Sequence, residues 1–209
     1  MDKTIILLSG GLDSLITAIW AKQNFSHVEY LSFDYHQKHI LELQSAEKIV
    51  SALHLDGQVI TLPDIMHPVP QFFPNQSTNF FPLRNLIMLS CAISVAVQKG
   101  IQSVSIGVNA EDFMLFPDCR ESFFIHLEQT VYSALEKHIH IYRPFIRLEK
   151  WEMIKYADRE FKDLFRTLLP MTITCYNGLT PPCGECDSCK VRIGAFKKAG
   201  IIDPITQYV

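Results

Sequence analysis

Apolar and polar positions along this 209-residue chain fall into two alternating rhythms. An apolar run at residues 5–8 ends in Ser9-Gly10-Gly11 and passes into a segment, 13–23, whose apolar positions Leu15, Ile16, Ala18, Ile19 and Trp20 have helical spacing. Residues 28–33 read as a second strand, 40–53 as a helix with apolar positions at 40, 41, 43, 46, 49, 50 and 53, and 58–62 as a third strand. Strand and helix in strict alternation predict an α/β fold built on a parallel, doubly wound sheet. Residues 63–83 break the rhythm with five prolines and four phenylalanines and read as a long ordered loop with apolar anchors. An apolar helix follows over 86–97, then a fourth strand over 103–108 and a polar exit over 109–120. The remaining elements are a helix over 121–135, a short strand over 139–142, and helices over 150–157 and 190–199.

Length then sets the domain plan, one α/β domain over residues 1–168 with a small appendage over 169–209. Charged residues are 20% of the chain and the net charge is only −3, which gives no basic field for nonspecific nucleic-acid binding. No apolar run reaches membrane-spanning length and Met1-Asp2-Lys3 leads directly into the first strand, so a cytoplasmic protein without a signal peptide is expected.

The first strand exit carries the sharpest chemistry. Ser9-Gly10-Gly11-Leu12-Asp13-Ser14 between a buried strand and a helix start presents backbone N–H groups, two hydroxyls and a helix dipole to an anion. An ordinary strand-to-helix turn would need glycine for geometry alone. A Walker loop would carry Lys before Ser or Thr; Asp13 stands there instead, as suits a carboxylate that helps hold a divalent cation beside phosphates. This pattern resembles the pyrophosphate loop of N-type ATP pyrophosphatases, which cleave ATP between its α and β phosphates and adenylate a substrate oxygen. The exits of the second and fourth strands, Asp34 to His39 and Asn109 to Arg120, are polar clusters at the sheet edge where open parallel sheets bind ligands, although acidic exit loops also occur merely solvated.

Cys175, Cys183, Cys186 and Cys189 are threaded with Gly178, Pro181, Pro182 and Gly184. Two-residue spacers let neighbouring thiolates converge on one ion, so structural tetrahedral zinc is expected, with an iron–sulfur cluster as the competing metal and disulfides behind both. Cys91 reads as a small core residue.

Four motifs in order resemble the QueC family, the 7-cyano-7-deazaguanine synthases of queuosine biosynthesis, over essentially the whole chain. They are Ser9 to Ser14; Phe33-Asp34-Tyr35-His36-Gln37-Lys38-His39, like the family's Phe-Asp-Tyr-Gly-Gln-Arg-His; Phe116-Pro117-Asp118-Cys119-Arg120, like its Tyr-Pro-Asp-Cys-Arg; and Thr174-Cys175-Tyr176-Asn177-Gly178 with the later cysteines. The resemblance implies an adenine nucleotide alpha hydrolase-like fold, ATP, Mg2+, Zn2+, a 7-carboxy-7-deazaguanine substrate, ammonium as the amine, and a homodimer. It implies ATP binding by Leu8, Ser9, Gly10, Gly11, Leu12, Asp13, Ser14, Phe33, Asp34, Tyr35, Arg84 and Asn85. Substrate binding falls to Gln37, Lys38, Gly107, Asp112, Phe116, Asp118 and Arg120, catalysis to Asp13 and Arg84, and metal ligation to the four cysteines.

The departures cluster around the pocket. Leu83 replaces the family's Gly in a Pro-Gly-Arg-Asn turn, which predicts a backbone that avoids positive φ or a rebuilt loop. Met114-Leu115 replaces Ser-Gly, His36 replaces Gly, and the 63–83 loop is short. QueC-like paralogues of antiphage systems join a deazaguanine carboxylate to a protein amine, and an apolar rim of Leu83, Met114 and Leu115 would suit a protein acceptor. A tRNA-modifying or zinc-knuckle RNA-binding protein on the same fold is the third reading; the low positive charge counts against it.

Overall fold

The computed structural model describes residues 2–35, 41–64, 67, 69, 81–205 and 208. Its strands are β1 (Lys3–Leu7), β2 (His27–Asp34), β3 (Asp56–Thr61), β4 (Ser103–Ser105) and β5 (His140–Tyr142). They form one sheet in the order β3-β2-β1-β4-β5, and every adjacent pair is parallel. The chain walks outward from β1 to β3 and returns to lay β4 against the other side of β1, pairing Ile5 with Val104 and Ile6 with Ser105. Strand direction of travel therefore reverses between β1 and β4, and the crevice beyond their carboxyl ends is the topological switch point. The doubly wound α/β fold expected from the sequence is the one observed.

The helices are α1 (Leu12–Asn24), α2 (Leu41–Leu53), α3 (Arg84–Gln98), α4 (Ala110–Leu115), α5 (Glu121–Leu135), α6 (Lys150–Glu160), α7 (Lys162–Leu168) and α8 (Asp187–Ala199). Because side chains alternate across a strand, β1 and the residue after it feed two cores. Ile6 and Leu8 join the core under α1, α2, α6, α7 and α8, built around Leu15, Ile16, Ile19, Ile49, Met153 and Phe165. Ile5 and Leu7 join the opposite core under α3 and α5, with Leu31, Phe33, Leu89, Val104, Phe124 and Ile141. The few buried polar groups between strands are mutually satisfied, as in the 2.9 Å hydroxyl pair of Thr4 and Ser105 and the 2.6 Å bond from Ser32 Oγ to the Leu8 carbonyl.

Several elements differ from the sequence expectation. The fourth strand is three residues rather than six, since beyond Ser105 the chain leaves the ladder after Ile106 N–H donates to the Tyr142 carbonyl. Residues 110–115, expected as a loop, form α4, too short to show a helical period. α6 runs to Glu160 rather than 157, α7 follows it after a one-residue break at Phe161 and is not among the expected elements, and α8 begins at Asp187 rather than 190. Leu83 neither avoids positive φ nor gives up its side chain: it sits at φ 59°, ψ 19°, the left-handed region, as the residue before α3. Most of the 63–83 loop, with His36, Gln37 and Lys38, lies outside the described residues.

Candidate functional site

The switch-point crevice is built first by glycines. Gly10 has φ 84°, and a Cβ on it would stand 2.3 Å from the Glu42 carbonyl oxygen, so α2 presses directly on the loop between β1 and α1. A Cβ on Gly107, beyond β4, would lie 2.8 Å from the Asp13 carbonyl oxygen, which lets the β4 exit close against the first turn of α1. Gly11 is the residue capping α1 and brings no side chain to its N–H groups, while Ser14 Oγ donates to the Gly11 carbonyl at 2.9 Å and accepts from Ser9 N–H at 3.3 Å. The result is a tight turn with main-chain donors at a helix N-terminus, the arrangement that receives phosphates. Leu8, Leu12 and Phe33 are buried in the two cores, so only their main chain is open to a ligand at the turn.

Asp13 is the electrostatic centre. Its Oδ2 accepts from Lys150 Nζ at 2.9 Å and from Asn109 Nδ2 at 3.0 Å, while Oδ1 is buried without a hydrogen-bond partner among the described residues. A buried, unsatisfied carboxylate oxygen next to a phosphate-shaped loop is what a divalent cation would complete, so the donor set fits the magnesium expected from the sequence. Lys150 is carried on the first turn of α6, where Glu111 anchors it by accepting Lys150 N–H on both carboxylate oxygens, at 3.1 and 2.9 Å. Burial disfavours the Lys150 ammonium, but Asp13 and Asp112 outweigh it and hold its pKa above the ordinary lysine value.

Asp112 belongs to the same network. Asn109 caps α4, its side chain accepting Asp112 N–H at 3.0 Å while Asp112 Oδ2 accepts Asn109 N–H at 3.3 Å. Burial, then repulsion from Asp13, raises the Asp112 carboxyl to about 6, against the opposing pull of Lys150.

Across the crevice, Asn85 ties the start of α3 to the Asp118 turn: Asn85 N–H reaches Asp118 Oδ2 at 3.3 Å, and its amide donates to the Asp118 carbonyl and to Cys119 Sγ, both at 3.2 Å. Burial raises the Asp118 carboxyl and the Cys119 thiol, so the latter is a neutral, buried group and no thiolate nucleophile. Arg84 hydrogen-bonds Tyr35, whose ring meets Phe81 edge-on at 5.7 Å, and shares its surroundings with Glu42, Tyr176 and Asp118. Phe116 is half-buried and Arg120 exposed at the start of α5.

Asp13, Arg84, Asp112 and Asp118 are thus brought to one crevice. Lys150, Asn109 and Tyr176 belong there too; the sequence reading gave Lys150 no place in the site and carried Asn109 and Tyr176 only inside longer motifs, without a role of their own. Lys150 had one readable signal, a cation on the first turn of a helix where the dipole disfavours it, which calls for an outside anion. Asn109 followed by Asp112 three residues later had the capping pattern.

The cysteines converge as their spacing predicted. Their four sulfurs lie within 4.8 Å of one another, with Cys175 to Cys183 at 3.6 Å and Cys183 to Cys189 at 4.0 Å. Tetrahedral zinc with Zn–S bonds of about 2.3 Å needs S···S separations of about 3.8 Å, which these bracket. The N–H groups of Cys186 and Glu185 lower the Cys183 thiol to about 6, preparing a thiolate. The cluster is compatible with a bound metal ion.

Comparison with known proteins agrees with this geometry. The family described as "Queuosine biosynthesis protein QueC" matches residues 3–200. Proteins named 7-cyano-7-deazaguanine synthase from Clostridium kluyveri and Acetivibrio thermocellus are 37% and 35% identical to this chain, each alignment covering 98% of it and 97% of the relative. One from Laribacter hongkongensis is 31% identical over 98% of this chain and 94% of its own. Among solved structures, the tRNA thiolase NcsA from Methanococcus maripaludis, solved with its 4Fe-4S cluster, superposes with a TM-score of 0.53 at 13% identity, covering 95% of this chain and 67% of that one. NMN synthetase from Francisella tularensis gives 0.52 at 14% identity, covering 95% and 77%. These two share the fold, the adenine nucleotide alpha hydrolase-like arrangement. With the family profile running from β1 to the end of α8, and relatives above 30% identity matched nearly end to end, the chain belongs to the QueC family.

Proposed function

We propose that this chain is an ATP-dependent carbon–nitrogen ligase that converts 7-carboxy-7-deazaguanine to 7-cyano-7-deazaguanine through the amide. The observation that carries the reading is Asp13, with one oxygen paired to Lys150 and the other buried and unpaired beside the Ser9–Ser14 turn. The name shared by the relatives supplies the substrate class.

In the first half-reaction a substrate carboxylate oxygen attacks the α-phosphorus of ATP and pyrophosphate leaves. Ammonia then forms the C–N bond, the acyl–oxygen bond to AMP breaks, and a proton is lost. In the second, the amide oxygen attacks a second ATP, pyrophosphate leaves, and departure of AMP with the two N–H protons gives the nitrile. The protein's share is positioning and charge neutralisation. The main-chain donors and hydroxyls of residues 9–14 receive pyrophosphate, and Arg84 and Lys150 offset its charge. Asp13 would hold magnesium, whose chemistry there is to screen the phosphates. Tyr35 and the main chain at Phe33 and Asp34 flank adenosine. Asp112 and Asp118 each give Oδ2 to a backbone N–H, and their other oxygens accept from the ring N–H and amino group of the deazaguanine, with Gly107, Phe116 and Arg120 beside them. Cys175, Cys183, Cys186 and Cys189 would hold zinc as a closed structural site; a four-iron cluster, gripped from outside at separate irons, would spread the sulfurs further than observed. The activity is assigned to residues 1–168, with 169–209 as the metal-bearing segment.

A second reading follows from the exposed rim, Leu83 at 57%, Met114 at 75% and Leu115 at 57% accessible. There, the first adenylate is captured by a protein amine. Mass spectrometry of the purified chain with 7-carboxy-7-deazaguanine, Mg·ATP and ammonium separates the two: nitrile or amide supports the first, whereas AMP release without either product supports the second. Absence of substrate-dependent AMP would sink both.

A further inference from the structure

The segment between α7 and the first cysteine passes under the nucleotide crevice, and one buried cation fixes it. Arg192 is 2% exposed and lies on α8 one turn beyond the ligand Cys189. Its Nε and Nη2 donate to the two Asp203 carboxylate oxygens at 2.7 and 2.9 Å, a bidentate pair. Nη1 donates to Thr172 Oγ1 at 2.8 Å and to Thr174 Oγ1 at 2.9 Å. The Thr172 hydroxyl gives its own proton to the Leu169 carbonyl at 2.8 Å, so its role toward Arg192 is that of acceptor.

Between the two threonines, Ile173 N–H donates to the Gly10 carbonyl at 3.1 Å. Ser45 Oγ lies 2.7 Å from that carbonyl and 2.5 Å from the Met171 carbonyl, sharing its single proton between the two. Gly10 is the left-handed residue at the apex of the Ser9–Ser14 turn, and its conformation aims the turn's N–H groups. Hydrogen bonds at either end, joined by the main chain of residues 172–174, therefore link the cysteine-bearing helix through Arg192 to the residue that shapes the phosphate turn. Thr174 also adjoins Cys175, so both ends of the metal cluster bear on this segment.

We propose that Arg192 is a positioning residue that holds residues 172–174 against Gly10, so that the affinity of the Ser9–Ser14 turn for the pyrophosphate portion of ATP depends on the Arg192 clamp. The proposal rests on reading that turn as the pyrophosphate site. Arg192 itself makes a poor first probe, because its removal strands Asp203 in a buried position and threatens folding. Thr174 separates the cases: Thr174→Val deletes one acceptor and keeps the Arg192–Asp203 pair, and Thr174→Ser restores the acceptor.

The test uses the metal-loaded full chain. Inorganic pyrophosphate binding with magnesium is measured by calorimetry, alongside the KM for ATP, kcat and the melting temperature. For Thr174→Val, pyrophosphate Kd and ATP KM rise about tenfold, the loss of one hydrogen bond to a charged donor, with kcat within about twofold and the Ser variant at the wild-type values. Unchanged affinity in a folded Val variant overturns the proposal. So does a fall in kcat and melting temperature together with unaltered affinity, since that is a merely structural role. If the wild-type chain binds neither pyrophosphate nor ATP, the functional reading falls and the proposal with it; wild-type binding with an insensitive Val variant removes the proposal alone.

Discussion

Replacing Lys150 by Met should expose how strongly the site depends on its internal ion pair. Asp13 and Lys150 side chains are each 17% exposed, and their 2.9 Å contact lies between the start of α1 and the start of α6. Without the ammonium, Asp13 keeps only Asn109 on Oδ2 and no described partner on Oδ1, with the Asp112 carboxyl in the same field. Stranding one member of a buried pair costs roughly 3–5 kcal/mol, and the remaining exposure places this case at about 3 kcal/mol. For a chain of this size that lowers Tm by about 6–12 °C. Calorimetric melting of the nucleotide-free chain reads the effect, and adding Asp13→Asn to Lys150→Met should recover most of it, because the neutral amide removes the stranded charge at Asp13 and its repulsion of Asp112. ATP turnover stays lost in both, by about 100-fold or more, since neither restores a cation beside the phosphates. A Lys150→Met protein that melts within about 2 °C of wild type, or a double variant no more stable than the single one, would refute the reasoning.

Asp112→Asn should stabilise the nucleotide-free chain at neutral pH. A folded carboxyl raised from 3.8 to about 6 loses stability as pH climbs through that interval, by at most about 3 kcal/mol. The variant's advantage therefore grows between pH 4 and about 6, persists above, and vanishes below pH 4 in denaturant titrations; a pH-independent difference would contradict it. Leu83→Gly relieves left-handed strain of about 1–2 kcal/mol at an exposed side chain but loosens the unfolded chain by up to about 1, so a net gain of about 1 kcal/mol is expected in urea unfolding. A loss there would mean the side chain packs against something. Cys186→Ser should bind metal far more weakly and melt at least about 10 °C lower, with metal content by atomic spectroscopy as the check; a metal-free variant with wild-type melting would remove the structural role of the cluster.

Much of the fold was legible because its signals are local and repeated. Ile5, Ile6, Leu7 and Leu8 in an unbroken run mark a strand buried on both faces, and β1 does feed two cores. The pyrophosphate-like turn and the four cysteines were legible for a similar reason: their chemistry is concentrated in a few adjacent residues. Lys150 was not, because its meaning depends on Asp13, 137 positions earlier in the chain, and only the sheet order brings β1 and the β5–α6 connection to one crevice. Arg192 is a comparable case. Nothing local to the helix marks its arginine as buried; the burial is created by Asp203 and by the threonines of another segment. α4 escaped for a different reason: six residues span fewer than two turns, and its stability lies in the Asn109 and Asp112 cap and the Glu111 tie to α6.

That anchoring explains how the site tolerates the residues in which this chain departs from its family's pattern. The base of α4 is held by three connections: the Asn109 amide on Asp13, Ala110 N–H on the Leu148 carbonyl, and Glu111 on the first N–H of α6. All three are made by residues 109–111, whereas Phe113, Met114 and Leu115 are exposed at the far end. Leu83 is likewise exposed, one residue before Arg84 and two before the Asn85 contacts to Asp118 and Cys119. Substitutions at 83, 114 and 115 therefore change an exposed rim, which under the proposed function faces the incoming amine, at positions apart from the polar contacts that set Asp13, Lys150 and Asp112. Exchanging Met114-Leu115 for Ser-Gly should leave substrate-dependent pyrophosphate release within about twofold of wild type while altering which amine is captured. A matching collapse of pyrophosphate release would show instead that the apolar tip is part of the activating machinery, and that α4 works as one unit from cap to end.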